Sequence, residues 1–327
     1  MIRIGTLGAA RITPRALMYP AVDEPRVHVA AVAARDRQRA EDFARQFNIG
    51  RVHDDYADVI ADDSLDAIYI PLPITAHRQW TLAALAAGKH VLCEKSFASN
   101  AAEAQEMADA ARSSKLTVMD AFHYRYHPMF HRAVAICRSG ELGDIQRIEA
   151  RFHAPVASRT EDIRMHYETA GGVTMDIGCY PVSWVRHLAG EEPEVTSAEA
   201  ITGPPDVDLY LTADMKFQGG AVATIYGDMR ADAGFTATAT VTGDKGTMTL
   251  QNPLVPQVGH ALTVTAGGHN RTEQFDRRST YGYQLDAFCD AVAGGPRPLT
   301  DADEAVNQMK AIDACYLAAG LRLRGEN

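Results

Sequence analysis

The chain is short of several things, and each shortage rules something out. Cysteine is scarce, with five in 327 residues (Cys93, Cys137, Cys179, Cys289 and Cys315), widely scattered and without a Cys-x-x-Cys pair. An odd, dispersed set does not make a disulfide framework and fits reduced thiols in a cytoplasm. No apolar run approaches the ~20 residues that a membrane-spanning helix requires. Basic residues are outnumbered, 32 Lys and Arg against 42 Asp and Glu, for a net charge of −10. A surface for nucleic-acid phosphates needs the opposite balance. The first residues, Met1–Ala10, enter a strand pattern at once and have no signal-peptide layout. Internal repeats and low-complexity linkers are also missing. The expectation is a cytoplasmic protein whose partners include neither membrane nor nucleic acid.

What is present is an ordinary globular balance, 46% hydrophobic and 23% charged. A chain of 327 residues is too long for one core, so about two domains are expected. Up to Asp120, short β-branched runs alternate with amphipathic ones. Predicted strands are Arg3–Leu7, Val27–Ala33, Ala67–Pro71, His90–Glu94 and Leu116–Asp120, and predicted helices are Arg37–Phe47, His77–Ala87 and Ala101–Ser113. Phe43 and Phe47 stand four apart, as one buried helix face has them, and Gly88 closes the second helix. Strands alternating with helices predict βαβ units and a parallel sheet.

After Pro128 the pattern changes. One helix, Pro128–Ser139, carries proline in its first turn and Gly140 at its end. Strand patterns follow at Ile145–His153, Val195–Ile201, Val207–Phe217, Ala221–Met229, Ala237–Thr242, Thr247–Gln251 and Leu262–Ala266, and helices at Gln284–Ala293 and Asp301–Leu323 end the chain. The reading is an α/β protein: an N-terminal Rossmann dinucleotide-binding domain at 1–122, then an α+β domain at 123–327 with a large, mostly antiparallel open-faced sheet. Alternating apolar positions in Val207–Phe217 and Ala221–Met229 are expected to form an apolar open face. Covering it would make the chain a homodimer or higher homo-oligomer.

The first strand runs into Gly8-Ala9-Ala10-Arg11-Ile12-Thr13, the place where a dinucleotide-binding domain brings its backbone against a pyrophosphate. The glycine fingerprint is reduced: Gly8 holds the first position, Ala10 the second and Thr13 the third. The second strand ends in Ala34-Arg35, where a domain preferring NAD would place an acid for the ribose hydroxyl. Arg35, with Arg39 one helical turn on, suits a 2′-phosphate instead, so the expected cofactor is NADP(H). Further on, Val91-Leu92-Cys93 ends abruptly in Glu94-Lys95. On its own such a pair is the exit of a strand into water. The segment Gly171-Gly172 to Trp184, however, carries Asp176 and Tyr180 four apart, on one face if helical. A phenol can be a general acid or base, but at a free pKa near ~10 it needs a cation beside it. A lysine at a strand end would supply that cation.

Taken in order, Gly8–Ile12, Pro71–His77, Glu94-Lys95, Phe122–Pro128, Glu141–Ile145, Gly171-Gly172 with Asp176–Tyr180, and Val241–Leu250 resemble the glucose-fructose oxidoreductase / inositol dehydrogenase / MocA family over nearly the whole chain. The Tyr180 version and the Ala33–Asp36 turn are most similar to its dimeric dihydrodiol dehydrogenase and NADP-dependent xylose dehydrogenase branch. The resemblance implies an NADP(H)-dependent dehydrogenase or reductase acting on an alcohol or carbonyl carbon of a sugar, polyol or alicyclic diol. It implies Lys95 as the catalytic lysine beside the nicotinamide and Tyr180 as the acid/base, with Asp176 holding substrate hydroxyls or the lysine. Gly8, Ala9, Ala10, Arg11, Ile12, Arg35, Arg39, Leu72, Pro73, His77, Glu94 and Arg125 would meet the cofactor. His127 would line the substrate site. The family commonly has proline after the lysine; here it is Ser96.

Two rivals stand beside this reading. A ketoreductase for a nucleotide-linked deoxysugar needs a basic pocket for the diphosphate, and residues 154–167 offer only Arg159 and Arg164. A non-catalytic NADP-sensing protein has no need of a proton-transfer pair. No metal is expected: His123, His127 and His131 share a helical spacing, but Pro128 breaks the helix they would need.

Overall fold

Residues 1–156, 162–203 and 206–326 are described by the computed structural model. They form two units. The first comprises Met1–Ala98, Ala102–Arg125 and Tyr281–Val306, and the second Ser99–Ala101, Tyr126–Thr280 and Asn307–Asn327. The sequence reading made the second domain continuous from 123. Instead Tyr281–Val306 returns to the first unit.

In the first unit the order is β1 (Ile2–Leu7), a π-helical turn (Pro14–Met18) running into α1 (Tyr19–Asp23), β2 (Val27–Ala33), α2 (Arg37–Phe47), β3 (Arg51–Val52), α3 (Tyr56–Ala61), β4 (Ala67–Ile70), α4 (His77–Ala86), β5 (His90–Cys93), α5 (Ala101–Ser114) and β6 (Val118–Asp120). The strands lie in the order β3-β2-β1-β4-β5-β6 and pair in parallel throughout. This is the doubly wound order, whose reversal between β1 and β4 opens the ligand crevice at the strands' carboxyl ends. β4 and β6 are buried at every residue, as a parallel sheet covered on both faces requires. Asp36 and Asp55 cap α2 and α3 by accepting backbone N–H bonds from Arg39 and Asp58. The short β3, α1 and α3 are too brief to leave a periodic signal and were not foreseen.

Beyond α6 (Pro128–Arg138) come β7 (Ile145–His153) and a second π-helical turn (Thr174–Gly178) that runs into α7 (Cys179–Ala189). Then follow β8 (Glu194–Gly203), β9 (Val207–Lys216), β10 (Val222–Asp228), β11 (Thr236–Gly243), β12 (Gly246–Gln251), β13 (Ala261–Ala266), β14 (His269–Glu273), α8 (Thr280–Val292) and α9 (Ala302–Ala318). The eight strands lie in the order β14-β13-β12-β11-β7-β10-β9-β8; β7 and β10 pair in parallel and all other neighbours are antiparallel.

Two expectations need correction. The last helix stops at Ala318 rather than at Leu323, because Gly320 takes a left-handed turn (φ 69°) that ends it. The apolar positions of β9 and β10 do not form an open apolar face. Ala213, Ile225, Ala150, Ala239, Leu250 and Leu262 stand side by side across six strands, and all six are buried in the core at 1% exposure or less. The adjacent row on the opposite face runs Ser197, Asp214, Thr224, Glu149, Thr240, Thr249, Thr263 and Thr272, one residue from every strand and all polar. Hydrogen bonds lace it, from Thr224 Oγ1 to Asp214 Oδ1 (2.7 Å) and between the Thr263 and Thr272 hydroxyls (3.1 Å). No helix among the described residues is long and apolar enough to cross a membrane.

Candidate active site

The candidate residues fall on both units, and each unit is built separately. In the first, Gly8 ends β1 with φ 105°, and a Cβ there would lie 3.3 Å from Leu72 Cδ2. The turn is a close approach that only glycine makes without strain. Ala9 is buried, Ala10 and Ile12 half-buried and Arg11 exposed. Thr13, where the third glycine of the fingerprint would be, is fully buried, and its Oγ1 has no hydrogen-bond partner. A glycine-cornered turn that leads into helical residues 14–23 and keeps an unpartnered hydroxyl fits a dinucleotide pyrophosphate. At the end of β2, Arg35 is exposed and, among the described residues, makes no hydrogen bond or ion pair. Asp36 beside it is engaged as the cap of α2. Arg39 is tied to the glycine turn, donating from Nη2 to Ala9 O at 2.7 Å.

Leu72 and Pro73, both half-buried, follow β4. His77, the first residue of α4, is fully buried; its Nε2 lies 2.8 Å from Leu72 O and its Nδ1 2.9 Å from Ser96 O. It therefore ties the loop after β4 to the loop after β5, and burial holds its pKa below the ordinary value. The Lys95–Ser96 peptide is cis. Glu94 is buried and accepts a hydrogen bond from Tyr69 Oη at 2.7 Å. Burial raises its pKa, while Tyr69 and Lys95 oppose the rise. Asp120, at the end of β6 and paired in register with Cys93, is 1% exposed with Oδ1 unpartnered. Burial and then Glu94 push its pKa well up, and the Lys95 charge pulls it down. His123 lies against Tyr281 with ring centroids 4.0 Å apart, and burial, then Lys95, lower its pKa to about 3. Lys95, itself half-buried, is thus felt by two buried carboxyls and two buried imidazoles. Arg125 is largely buried, its Nη1 3.9 Å from Glu304 Oε1.

In the second unit, Asp176 lies in the π-helical turn and Tyr180 in the first turn of α7. Asp176 N donates to Gly172 O at 3.0 Å. Tyr180 is 5% exposed, its ring walled by Phe152 and Trp184 at 5.7 and 6.4 Å between centroids. Gln308 Nε2 donates to Cys179 O at 2.8 Å, fixing the backbone beside the phenol. Arg164 is matched by acids: Nε and Nη2 grip Asp162 at 2.9 and 2.6 Å, and Nη1 is 3.5 Å from Asp176 Oδ2. Arg159 lies outside the described residues. His127 is fully buried and caps α6, its Nδ1 accepting from Met129 N at 3.2 Å, a structural task that its sequence context before Pro128 could have signalled. His123 lies outside that helix in a 3₁₀ turn, while His131 stands in α6 one turn after His127. Asp120 was not singled out by the sequence reading, since its burial depends on the strands beside it.

Residues 2–122 match the model of an oxidoreductase family with an NAD-binding Rossmann fold, and residues 130–249 that of the GFO/IDH/MocA C-terminal domain. The chain is 35% identical over 318 residues to a D-xylose 1-dehydrogenase (NADP(+)) of Haloferax volcanii, covering 96% of each. The chain belongs to the Gfo/Idh/MocA family. It is an oxidoreductase that uses a nicotinamide dinucleotide. Within the family it is also 33% identical over 207 residues to a trans-1,2-dihydrobenzene-1,2-diol dehydrogenase of Xenopus tropicalis, covering 63% of this chain and 61% of that one. Among solved structures, a 3-ketoreductase from Actinomadura kijaniata in complex with NADP and TDP-benzene superimposes with a TM-score of 0.90 at 26% identity, covering 97% of each chain.

Proposed function

We propose that this oxidoreductase prefers NADP(H) and moves a hydride between the nicotinamide and a CH–OH or carbonyl carbon of a neutral sugar, polyol or alicyclic diol. Tyr180 is its acid/base and Lys95 its charge partner. The observation that carries the reading is the burial of Glu94, Asp120, His77 and His123 around the Lys95 charge at the carboxyl edge of the parallel sheet. A strand merely leaving for water does not gather buried titratable groups about its first cation, whereas a site for proton chemistry does.

The bound nicotinamide supplies or accepts the hydride. Gly8–Ile12 would cradle its pyrophosphate, Arg35 the 2′-phosphate, and Leu72 and Pro73 would flank the cofactor. Arg35 supports the preference for the phosphorylated form, because it is unpaired among the described residues while Asp36 is spent on a helix cap. In reduction, the Tyr180 hydroxyl donates its proton to the substrate oxygen as the C–O bond order falls. In oxidation, the phenolate takes the proton back. The Lys95 ammonium favours the phenolate and so lowers the cost of that exchange. Asp176 orients substrate hydroxyls by accepting from them.

Arg164 supports a neutral substrate. Its guanidinium is already matched by Asp162 and Asp176, so the described residues around Asp176 offer no spare cation for a diphosphate. This favours a free sugar or diol over the nucleotide-linked deoxysugar used by the 3-reductases among the relatives. Assembly into a homo-oligomer belongs to the same reading. Exposed Ile201 and Val222 on β8 and β10 support it, and a monomer mass by light scattering at micromolar concentration would refute it. The deciding experiment is a panel of aldoses, polyols, trans-dihydrodiols and dTDP-sugars followed by nicotinamide absorbance with NADP(H) and NAD(H). Turnover of free aldoses, polyols or diols with NADP(H) is expected. Turnover confined to nucleotide-linked sugars would overturn the substrate assignment.

A further inference from the structure

Beyond the last helix, Arg324 turns back into the second unit and is 1% exposed. Its guanidinium is spent on several partners. Nη2 meets Asp208 Oδ1 at 2.5 Å, Nε donates to Gly171 O at 2.8 Å, and Nη1 donates to Arg322 O at 3.4 Å. The cation also lies over the rings of Tyr316 and Tyr167, 4.4 and 5.0 Å from their centroids. Asp208 is 0% exposed and accepts three further bonds: from Tyr316 Oη at 3.1 Å, Thr174 N at 2.8 Å and Thr174 Oγ1 at 2.6 Å. The Tyr167 hydroxyl donates to Leu323 O and latches the returning chain.

A buried ion pair is a poor way to gain stability. Dehydrating two charges costs about what their attraction returns, and apolar side chains of the same volume often do as well or better. What such a pair does supply is direction, because each donor and acceptor has one place to be. Here the bonds end on Gly171 and Thr174. Gly172 lies between them at φ 129°, and a Cβ on it would collide with Asp208 Oδ1. The carbonyl of Gly172 is the acceptor for Asp176 N, 3.0 Å away, and Tyr180 follows one turn later.

We propose that the Arg324–Asp208 pair is a positioning device that fixes the Gly171–Thr174 turn and thereby the placement of Asp176 and Tyr180. The proposal rests on the reading of Tyr180 as the acid/base. Neither residue touches the reacting atoms; each acts through the turn.

The test compares kcat, KM and NADPH affinity in Arg324→Met and Arg324→Lys, alone and on a Tyr180→Phe background. Arg324→Met is expected to bind NADPH within twofold of the parent and to lose about 10- to 100-fold in kcat, the scale of a small misplacement of reacting groups. Arg324→Lys keeps the charge on Asp208 but not the fork to Gly171, and is expected to recover part of that loss. On the Tyr180→Phe background Arg324→Met should cost nothing more, since groups acting through one unit are non-additive. A stability defect alone would multiply instead. If Arg324→Met does not fold, Tyr167→Phe replaces it. It removes only the latch and should cost about two- to tenfold, the worth of one neutral hydrogen bond, again only when Tyr180 is present. A kcat within twofold of the parent for a folded Arg324→Met, or losses that multiply, overturns the positioning role alone. A parental kcat for Tyr180→Phe by itself overturns the acid/base assignment, and the clamp as stated falls with it.

Discussion

Lys95 and Tyr180 stand on stretches of chain that are held by opposite means. The loop that carries Lys95 is fixed by near neighbours in sequence: Tyr69 on Glu94 across 25 residues, and His77 on Ser96 and Leu72 across 19 and 5. The turn that leads to Tyr180 is fixed by distant ones: Asp208 on Thr174 across 34 residues, Gln308 on Cys179 across 129 and Arg324 on Gly171 across 153. The sheets differ in the same sense. The parallel one hides every residue of β4 and β6, whereas β11 alternates half-buried and buried along its length. A βαβ unit assembles its carboxyl edge from consecutive pieces, so local pattern suffices. The second unit holds its Gly171–Thr174 turn from the far end of the chain, and local pattern does not reach that far.

The largest expected effect tests whether the two stretches serve one reaction at all. Tyr180→Phe and Lys95→Ala should each lower kcat by about 10²–10⁴ while leaving NADPH affinity nearly intact, and the double variant should be little worse than either. Stopped-flow turnover across pH checks this. Near-parental turnover with an unchanged profile in Tyr180→Phe would move the proton to another group.

Two glycines sharpen the contrast in rigidity. Gly172→Ala drives a Cβ into the buried Asp208 carboxylate and should cost about 3–4 kcal/mol, among the largest point-mutation effects. Gly8→Ala meets only the end of the Leu72 side chain at 3.3 Å and should cost about 1–2 kcal/mol, mainly for its positive φ. Denaturant melts of both decide it, and equal costs would mean the second turn is no more constrained than the first. A smaller effect concerns binding: Arg35→Ala should weaken NADPH by about 1.5–3 kcal/mol and leave NADH unchanged, read by fluorescence titration.

The smallest effects are in pH. Burial lowers the pKa of His123 from 6.5 to about 3, so the unfolded chain binds the extra proton between those values. Stability is therefore lost as pH falls below 6.5, and His123→Phe, which keeps the packing on Tyr281, should flatten that limb. In the second unit Arg132, with Arg271, lowers Glu273 from 4.5 to about 2. That carboxylate stabilises the fold above pH 4.5, and its contribution disappears as pH falls towards about 2. Glu273 is partly exposed, so screening keeps its share to about 1 kcal/mol. Melting temperatures of His123→Phe and Glu273→Gln across pH should part at different limbs; a common limb would mean that one group governs both.

Much of the fold was legible because its signals are local. Arg37–Phe47 and Ile145–His153 were read to the residue, since the Phe43 and Phe47 spacing of one helix face and the alternation from Ile148 to His153 each announce themselves within one window. Other readings failed where a local rule was overruled. Asp301–Leu323 looks helical until Gly320 turns left-handed and the chain folds inward. The alternation in β9 and β10 was correct, but which face met the core could not be read from either strand alone. Only pairing eight strands in register shows that the Thr row shares one face and the Ala and Leu row the other.

By itself the sequence determined the parallel sheet, the degraded glycine turn and the Ala34-Arg35 substitution for an acid, and it put forward Lys95, Asp176 and Tyr180 as candidates, because each is a matter of residue type at a short spacing. Tertiary structure alone decided that Asp120 is buried near the Lys95 charge, that Arg164 is already matched by acids, and that Arg324 reaches Gly171. Burial and charge pairing depend on what the rest of the chain brings to a residue. No window of sequence contains that information when the partner lies 153 positions away.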